Sequence, residues 1–62
     1  MIKISIAPGS LFFVKLSPSV ERVVRESYNL QWNGKRHFIK GEPDELYKVL
    51  LTLSYTYDIE LI

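Results

Sequence analysis

The Asn33-Gly34 pair constrains the fold of this chain more than any other feature. It lies between two short runs rich in β-favouring residues, within Asn29 to Lys40. An Asn-Gly pair flanked in this way is the strongest short-range signal for a β-hairpin, because a two-residue type I′ turn needs positive φ at both central positions. The sequence therefore predicts a hairpin over Leu30 to Ile39, with Asn33 and Gly34 both at positive φ.

Three further segments have the character of β-strands. Met1 to Ala7 and Tyr57 to Ile62 place apolar residues at every second position, which is typical of strands with one apolar face. Leu11 to Leu16 is almost continuously apolar, which favours a central strand buried on both faces. Pro8-Gly9-Ser10, between the first two of these strands, predicts a turn.

Two segments have helical spacing and recognisable starts. Ser17 is a suitable N-cap and Pro18 a suitable first helical residue, and valines follow at positions 20, 23 and 24. The second helix is expected to start at Glu42-Pro43-Asp44-Glu45, where acidic side chains favour the positive end of the helix dipole. Its predicted core stripe is Leu46, Val49, Leu50 and Leu53, widened by Tyr47 and Leu51.

The predicted element order is ββαββαβ. It indicates an α+β domain with a small, mostly antiparallel sheet and two helices on one face. The 62 residues are enough for one domain, which would bury only about 60% of the surface of the unfolded chain. Because the last predicted strand is followed by no polar segment, we also expect that the chain can be an N-terminal module of a larger protein.

The composition argues against several classes of protein. There is no cysteine, and His37 is the only histidine, with no carboxylate pair at ligand spacing beside it, so no metal site is predicted. No nucleophile motif or glycine-rich phosphate loop is present, so neither an enzyme nor a cofactor is expected. No apolar run approaches the roughly 18 residues that span a bilayer, and no secretory signal is seen, so we expect a cytoplasmic protein with no membrane partner.

The predicted hairpin concentrates basic and aromatic side chains. The net charge of +1 is too small to indicate nucleic acid by itself, but no acidic residue lies between Gln31 and Gly41. An exposed Phe38 ring could stack on a base or sugar while neighbouring cations contact phosphates. The alternative is that Phe38 packs against a neighbouring strand and the cations form a solvated face.

A two-residue turn also fixes the pairing within the hairpin. It would place Trp32 opposite Lys35, Gln31 opposite Arg36 and Leu30 opposite His37. One face would then carry Gln31, Arg36, Phe38 and Lys40, and the other Leu30, Trp32, Lys35, His37 and Ile39. The face that carries Trp32 has apolar residues, Leu30 and Ile39, at its two ends. We therefore expect this face to contact the helices and Trp32 to be at least half buried.

The second half of the chain carries a family likeness. The helix Val20 to Tyr28, the segment Trp32 to Ile39, the acidic helix start and the last strand together resemble the HARP-like domains of annealing helicases. They also resemble the small domain that precedes the motor in phage and XPB-type repair helicases. The resemblance covers Leu11 to Ile62 and implies an accessory role in engaging branched or distorted DNA during repair, with no ATPase in this chain.

Two hypotheses follow from the sequence. The first is a non-enzymatic, nucleic-acid-binding accessory domain that binds branched or single-stranded DNA. Its predicted site consists of Gln31, Trp32, Lys35, Arg36, Phe38 and Lys40. The second is a protein-interaction or dimerisation module, such as a small phage or plasmid regulator, that pairs through the edge of its first or last strand. A steep dependence of binding on salt would distinguish the first from the second.

Overall fold

Two helices pack on one face of a five-stranded sheet in the computed structural model, which describes all 62 residues. The elements are β1 (Ile2–Ala7), β2 (Ser10–Lys15), α1 (Pro18–Ser27), β3 (Gln31–Trp32), β4 (His37–Lys40), α2 (Pro43–Ser54) and β5 (Ile59–Leu61). This architecture confirms the predicted α+β class and the order ββαββαβ. Strand β5 is shorter than the predicted Tyr57 to Ile62. Neither helix has the length and apolar character needed to cross a membrane.

The strands are arranged in the order β3-β4-β2-β1-β5. All neighbouring pairs are antiparallel except β1 and β5, which are parallel with Ile2 opposite Ile59 and Ile4 opposite Leu61. Strand β1 therefore has a neighbour on each side, so of the two strands expected to offer a free edge the first does not and the last does. The free edges of the sheet belong to β3 and β5.

The core lies between the helices and one face of the sheet. It consists entirely of hydrophobic residues: Ile2, Ile4, Leu11, Phe13, Val24, Leu30, Ile39, Leu46, Val49 and Leu53. In β2, Leu11 and Phe13 are buried whereas the intervening Phe12 is only partly covered. The prediction that this strand is buried on both faces is therefore wrong: β2 is central, but both helices cover the same side of it.

The helix starts agree with the sequence, but the apolar stripe of α2 is narrower than expected. Ser17 is the N-cap of α1, and Pro18 is its first residue. In α2, Leu46, Val49 and Leu53 are buried. Tyr47 is 64% exposed and Leu51 is 41% exposed, so the prediction that they widen the core stripe is wrong. No element packs over that side of the helix closely enough to cover them.

Candidate nucleic-acid interface

The loop of the predicted hairpin is longer than expected. Strands β3 and β4 do pair antiparallel, but Trp32 lies opposite His37 and Gln31 opposite Phe38, so the loop comprises four residues, 33–36. Gly34 has φ +97°, and no residue other than glycine has positive φ. The prediction of a two-residue turn with Asn33 at positive φ, and of the pairs that it implied, is therefore wrong.

The Asn33 side chain explains the longer loop. Its Oδ1 accepts hydrogen bonds from the backbone N–H groups of Lys35 at 2.9 Å and Arg36 at 2.8 Å. The Asn33 N–H also donates to the Arg36 carbonyl at 3.2 Å. Asparagine commonly organises turns in this way, by bonding backbone groups two or three residues ahead. The side chain thus closes a wider loop without a left-handed backbone at Asn33.

The change in pairing moves Lys35 and Arg36 out of the strands, but it leaves the two faces of the hairpin intact. Side chains alternate along a strand with period two, so a shift of two residues returns each side chain to its original face. Gln31, Phe38 and Lys40 accordingly share the sheet surface that no helix covers. We call that surface the open face.

Two aromatic rings lie together on the open face. Phe38 of β4 is directly opposite Phe12 of β2, and their ring centroids are 5.6 Å apart with the planes tilted by 35°. The pairing continues to Gln31 on one side and Ser5 on the other, so these four side chains form a row across the sheet. Phe12 was not among the predicted site residues. No signal in the sequence separates Phe12 from the buried Leu11 and Phe13, because the whole run from Leu11 to Val14 is apolar.

Basic side chains surround this aromatic pair. The loop residues Asn33, Lys35 and Arg36 line a shallow depression of about 410 Å³ together with Ser5, Ala7 and Phe12, so the loop borders the open face. Lys40 projects from the other end of β4. The Arg25–Glu21 ion pair and the His37–Glu21 contact are the only contacts of this kind in the structure, and neither includes a cation of the loop or of β4's end. The cations at positions 35, 36 and 40 are therefore exposed and available to an external anion.

Trp32 lies on the opposite side of the sheet from Phe38. Its ring centroid is 4.7 Å from that of His37, and the His37 Nε2 is 3.3 Å from the Glu21 Oε1 of α1. The Trp32 side chain is 57% exposed, so the prediction that it is at least half buried is wrong. It lies at the end of a two-residue edge strand and has a sheet neighbour on one side only. The structure thus brings five of the six predicted site residues together and leaves Trp32 apart.

Charge is distributed unevenly between the two layers of the molecule. The helices and the N-cap of α2 carry five acidic and three basic residues, whereas the sheet and the other connections carry five basic and two acidic residues. The acidic residues of the helical layer are Glu21, Glu26, Glu42, Asp44 and Glu45, and the basic residues of the sheet layer are Lys3, Lys15, Lys35, Arg36 and Lys40. The small net charge therefore conceals a positive sheet layer and a negative helical layer.

Comparison with known proteins adds no assignment. No protein-family model, curated protein or solved structure matches this chain significantly. The resemblance to HARP-like domains accordingly stays a prediction from the residues that carry it.

Proposed function

We propose that this chain is a non-enzymatic nucleic-acid-binding domain whose interface is the open face with its adjoining loop. The observation that carries the proposal is the pair Phe12 and Phe38, which lies on an uncovered sheet surface beside cations with no acidic partner. Aromatic rings stack on any base, and Lys and Arg side chains bind phosphate oxygens without reading sequence. The HARP-like resemblance further suggests that this binding serves an accessory role beside a helicase motor in another domain or protein.

The number of available cations sets the expected strength of binding. Lys35, Arg36 and Lys40 can neutralise about three phosphates, for which the slope of log K against log salt is roughly −2 on a single strand. Non-specific dissociation constants on the order of 10⁻⁴ to 10⁻⁶ M are expected at physiological salt. The proposal is thus for weak, salt-sensitive binding of the kind that supports a larger assembly.

A charge-reversal experiment tests the proposal. Changing Lys35, Arg36 and Lys40 together to Glu should abolish binding of labelled DNA in fluorescence anisotropy at low salt, without unfolding the domain, because the three side chains are exposed. The matched control reverses three exposed cations of the helical layer, Arg22, Arg25 and Lys48, and so makes the same change in net charge. Its binding should fall much less. Absence of binding by the wild type at low salt, or equal losses in both variants, would overturn the proposal.

A second candidate function, association with another copy of the chain, is favoured by a separate apolar surface. Exposed hydrophobic side chains lie along α2, β5 and the end of β1: Ile6, Tyr47, Leu51 and Leu61. Two depressions that share Tyr47 and Leu50 connect these elements. Contiguous apolar surface of this kind marks interaction sites in many monomers.

The edge of β5 gives this surface a way to pair with itself. The Asp58 carbonyl and the Ile62 N–H bond to β1, so the backbone groups of the alternate residues Ile59 and Leu61 point to the free side. Two β5 edges can then pair about a two-fold axis. Sedimentation analysis over a range of concentrations tests this. We expect a dimer that Leu61→Lys disrupts and that Val23→Lys, on the exposed side of α1, leaves intact. A monomer at every concentration would exclude it.

A further inference from the structure

The arrangement of the aromatic pair favours one form of nucleic acid. The centroids of Phe12 and Phe38 are 5.6 Å apart, whereas neighbouring bases in a duplex are stacked about 3.4 Å apart along each strand. Bases that rest on both rings must therefore be farther apart than in a duplex, with their faces free. Only an unpaired strand presents bases in that state.

The rest of the molecule offers little to a duplex groove. Major-groove recognition inserts a helix or a two-stranded ribbon between the phosphate backbones. The start of α2 carries Glu42, Asp44 and Glu45, which repel phosphates, and Arg25 of α1 is paired with Glu21 at 3.2 Å. The loop of the β3–β4 hairpin does not project as a ribbon tip, because Lys35 and Arg36 line the same depression in the sheet surface as Phe12, Ser5 and Ala7.

The positions of the cations define a path across the open face. Arg36 immediately precedes β4, Phe38 lies within it, and Lys40 ends it. Four residues of extended strand span about 13 Å, so a basic group lies on either side of the aromatic pair along the strand direction. Gln31 is opposite Phe38 at the edge of the sheet, where its amide can hydrogen-bond to the edge of a stacked base.

We propose that the open face binds single-stranded nucleic acid, with two successive bases stacked on Phe12 and Phe38 and their phosphates held by Arg36 and Lys35 at one end and Lys40 at the other. This inference rests on the proposed function and specifies its substrate. Affinity comes from both stacking and charge, so the phosphate backbone alone is a poor ligand. A duplex of the same sequence contacts only the basic side chains, because its bases are stacked on one another.

The decisive comparison uses the wild-type protein and three labelled probes of equal length: an oligothymidylate, a duplex and an abasic single strand. Anisotropy at low salt should show the oligothymidylate binding at least about fivefold more tightly than the abasic strand, the lower end of the effect of one stacked base. The duplex should bind less tightly than the oligothymidylate, because its bases cannot stack on the rings.

Substitutions of Phe12 and Phe38 test whether the bases stack on these two rings. Phe12→Leu and Phe38→Leu should each weaken oligothymidylate binding by about fivefold or more, and leave abasic-strand binding unchanged. Phe38→Tyr, which keeps a ring, should retain binding. Tyr55→Leu removes an exposed aromatic ring that does not lie on the open face, and should have no effect. If Phe12→Leu does not fold, the Phe38 variants and the three probes still decide the question.

The single-strand inference and the proposed function are overturned by different results. Equal binding of oligothymidylate, duplex and abasic strand, with no effect of the Phe38 variants, would overturn the single-strand inference and leave charge-driven binding in place. Failure of all three probes to bind at low salt would overturn the proposed function itself.

Discussion

The hairpin loop is closed by the side chain of Asn33 and by the backbone conformation of Gly34. The Asn33 carboxamide accepts two backbone hydrogen bonds, and Gly34 supplies the left-handed φ of +97°. The loop in turn places Lys35 and Arg36 beside Phe12. The position of two proposed phosphate ligands therefore depends on the local chemistry of these two residues.

Gly34→Val should destabilise the domain by about 1 to 2 kcal/mol, because a β-branched residue is strained at this φ. A Cβ at position 34 would meet nothing within 4 Å, so the backbone conformation is the only cause. Urea unfolding measures the difference. Gly41→Ala is the control: its φ is not left-handed, and its Cβ would lie 3.5 Å from the Glu45 Cβ, an ordinary contact. Equal effects of the two substitutions would contradict the loop geometry.

Trp32→Ala should cost about 1 to 2 kcal/mol and leave the domain folded, because more than half of the indole is already in water. Phe13→Ala should cost about 3 to 5 kcal/mol, since that ring is only 1% exposed. A loss of that size approaches the whole stability expected of a chain this short. Circular dichroism and urea unfolding of the two variants provide the test. A cost for Trp32→Ala as large as that for Phe13→Ala would show that the indole is packed.

Much of the site could be predicted at the residue scale, but not its geometry. The period of two in a strand places Phe38 and Lys40 on one face, and Gln31 joins them in both the expected and the observed register because the two registers differ by two residues. The register itself depends on whether Asn33 uses its backbone or its side chain to close the loop, and both are compatible with Asn-Gly. Phe12 was missed because an unbroken apolar run does not show which of its residues the helices cover.

At the scale of the elements, α2 presents a narrow apolar stripe to the core and a second apolar side to solvent. Leu46, Val49 and Leu53 contact the core, whereas Tyr47 and Leu51 are exposed. The helix starts were predictable because Ser17-Pro18 and Glu42-Pro43 act locally. The width of the stripe was not, because it depends on what lies beside the helix in the folded molecule.

Two leucine substitutions in the same helix test its orientation. Leu53→Ala should cost about 2 to 4 kcal/mol, since the side chain is 5% exposed and leaves a cavity. Leu51→Ala should cost about 1 kcal/mol or less, because that side chain is 41% exposed and alanine favours helix. Chemical denaturation of both variants gives the comparison. The reverse order of costs would mean that α2 is rotated about its axis.

Across the whole molecule, the parallel pairing of β1 with β5 completes the sheet. Alternation in the sequence shows which residues of β5 face the core, but not which strand it joins. That choice depends on the path of the chain across the helical layer through α2, a long-range property. The pairing also places Glu60 opposite Lys3, so one of the two acidic residues of the sheet layer lies beside a cation.

Glu60→Pro should disrupt β5. The hydrogen bonds of Asp58 and Ile62 to β1 imply that the Glu60 N–H also points toward β1, and proline has no N–H to donate. We expect lower stability in urea and stronger light scattering on storage, because β1 would become an uncovered edge. Glu60→Ala keeps the backbone donor and serves as the control. Indistinguishable behaviour of the two variants would contradict the β1–β5 pairing.

The β1–β5 pairing also has a consequence for biosynthesis. Residues of β1 are made first and meet β2 almost at once, but their other neighbour is translated only after both helices and the hairpin. At about 5 to 20 residues per second, the side of β1 that pairs with β5 stays open for several seconds on each nascent chain. During this interval Ile2 and Ile4 are accessible to chaperones and to neighbouring nascent chains. The rate of translation therefore sets its length, and slow codons before Ile59 would lengthen it.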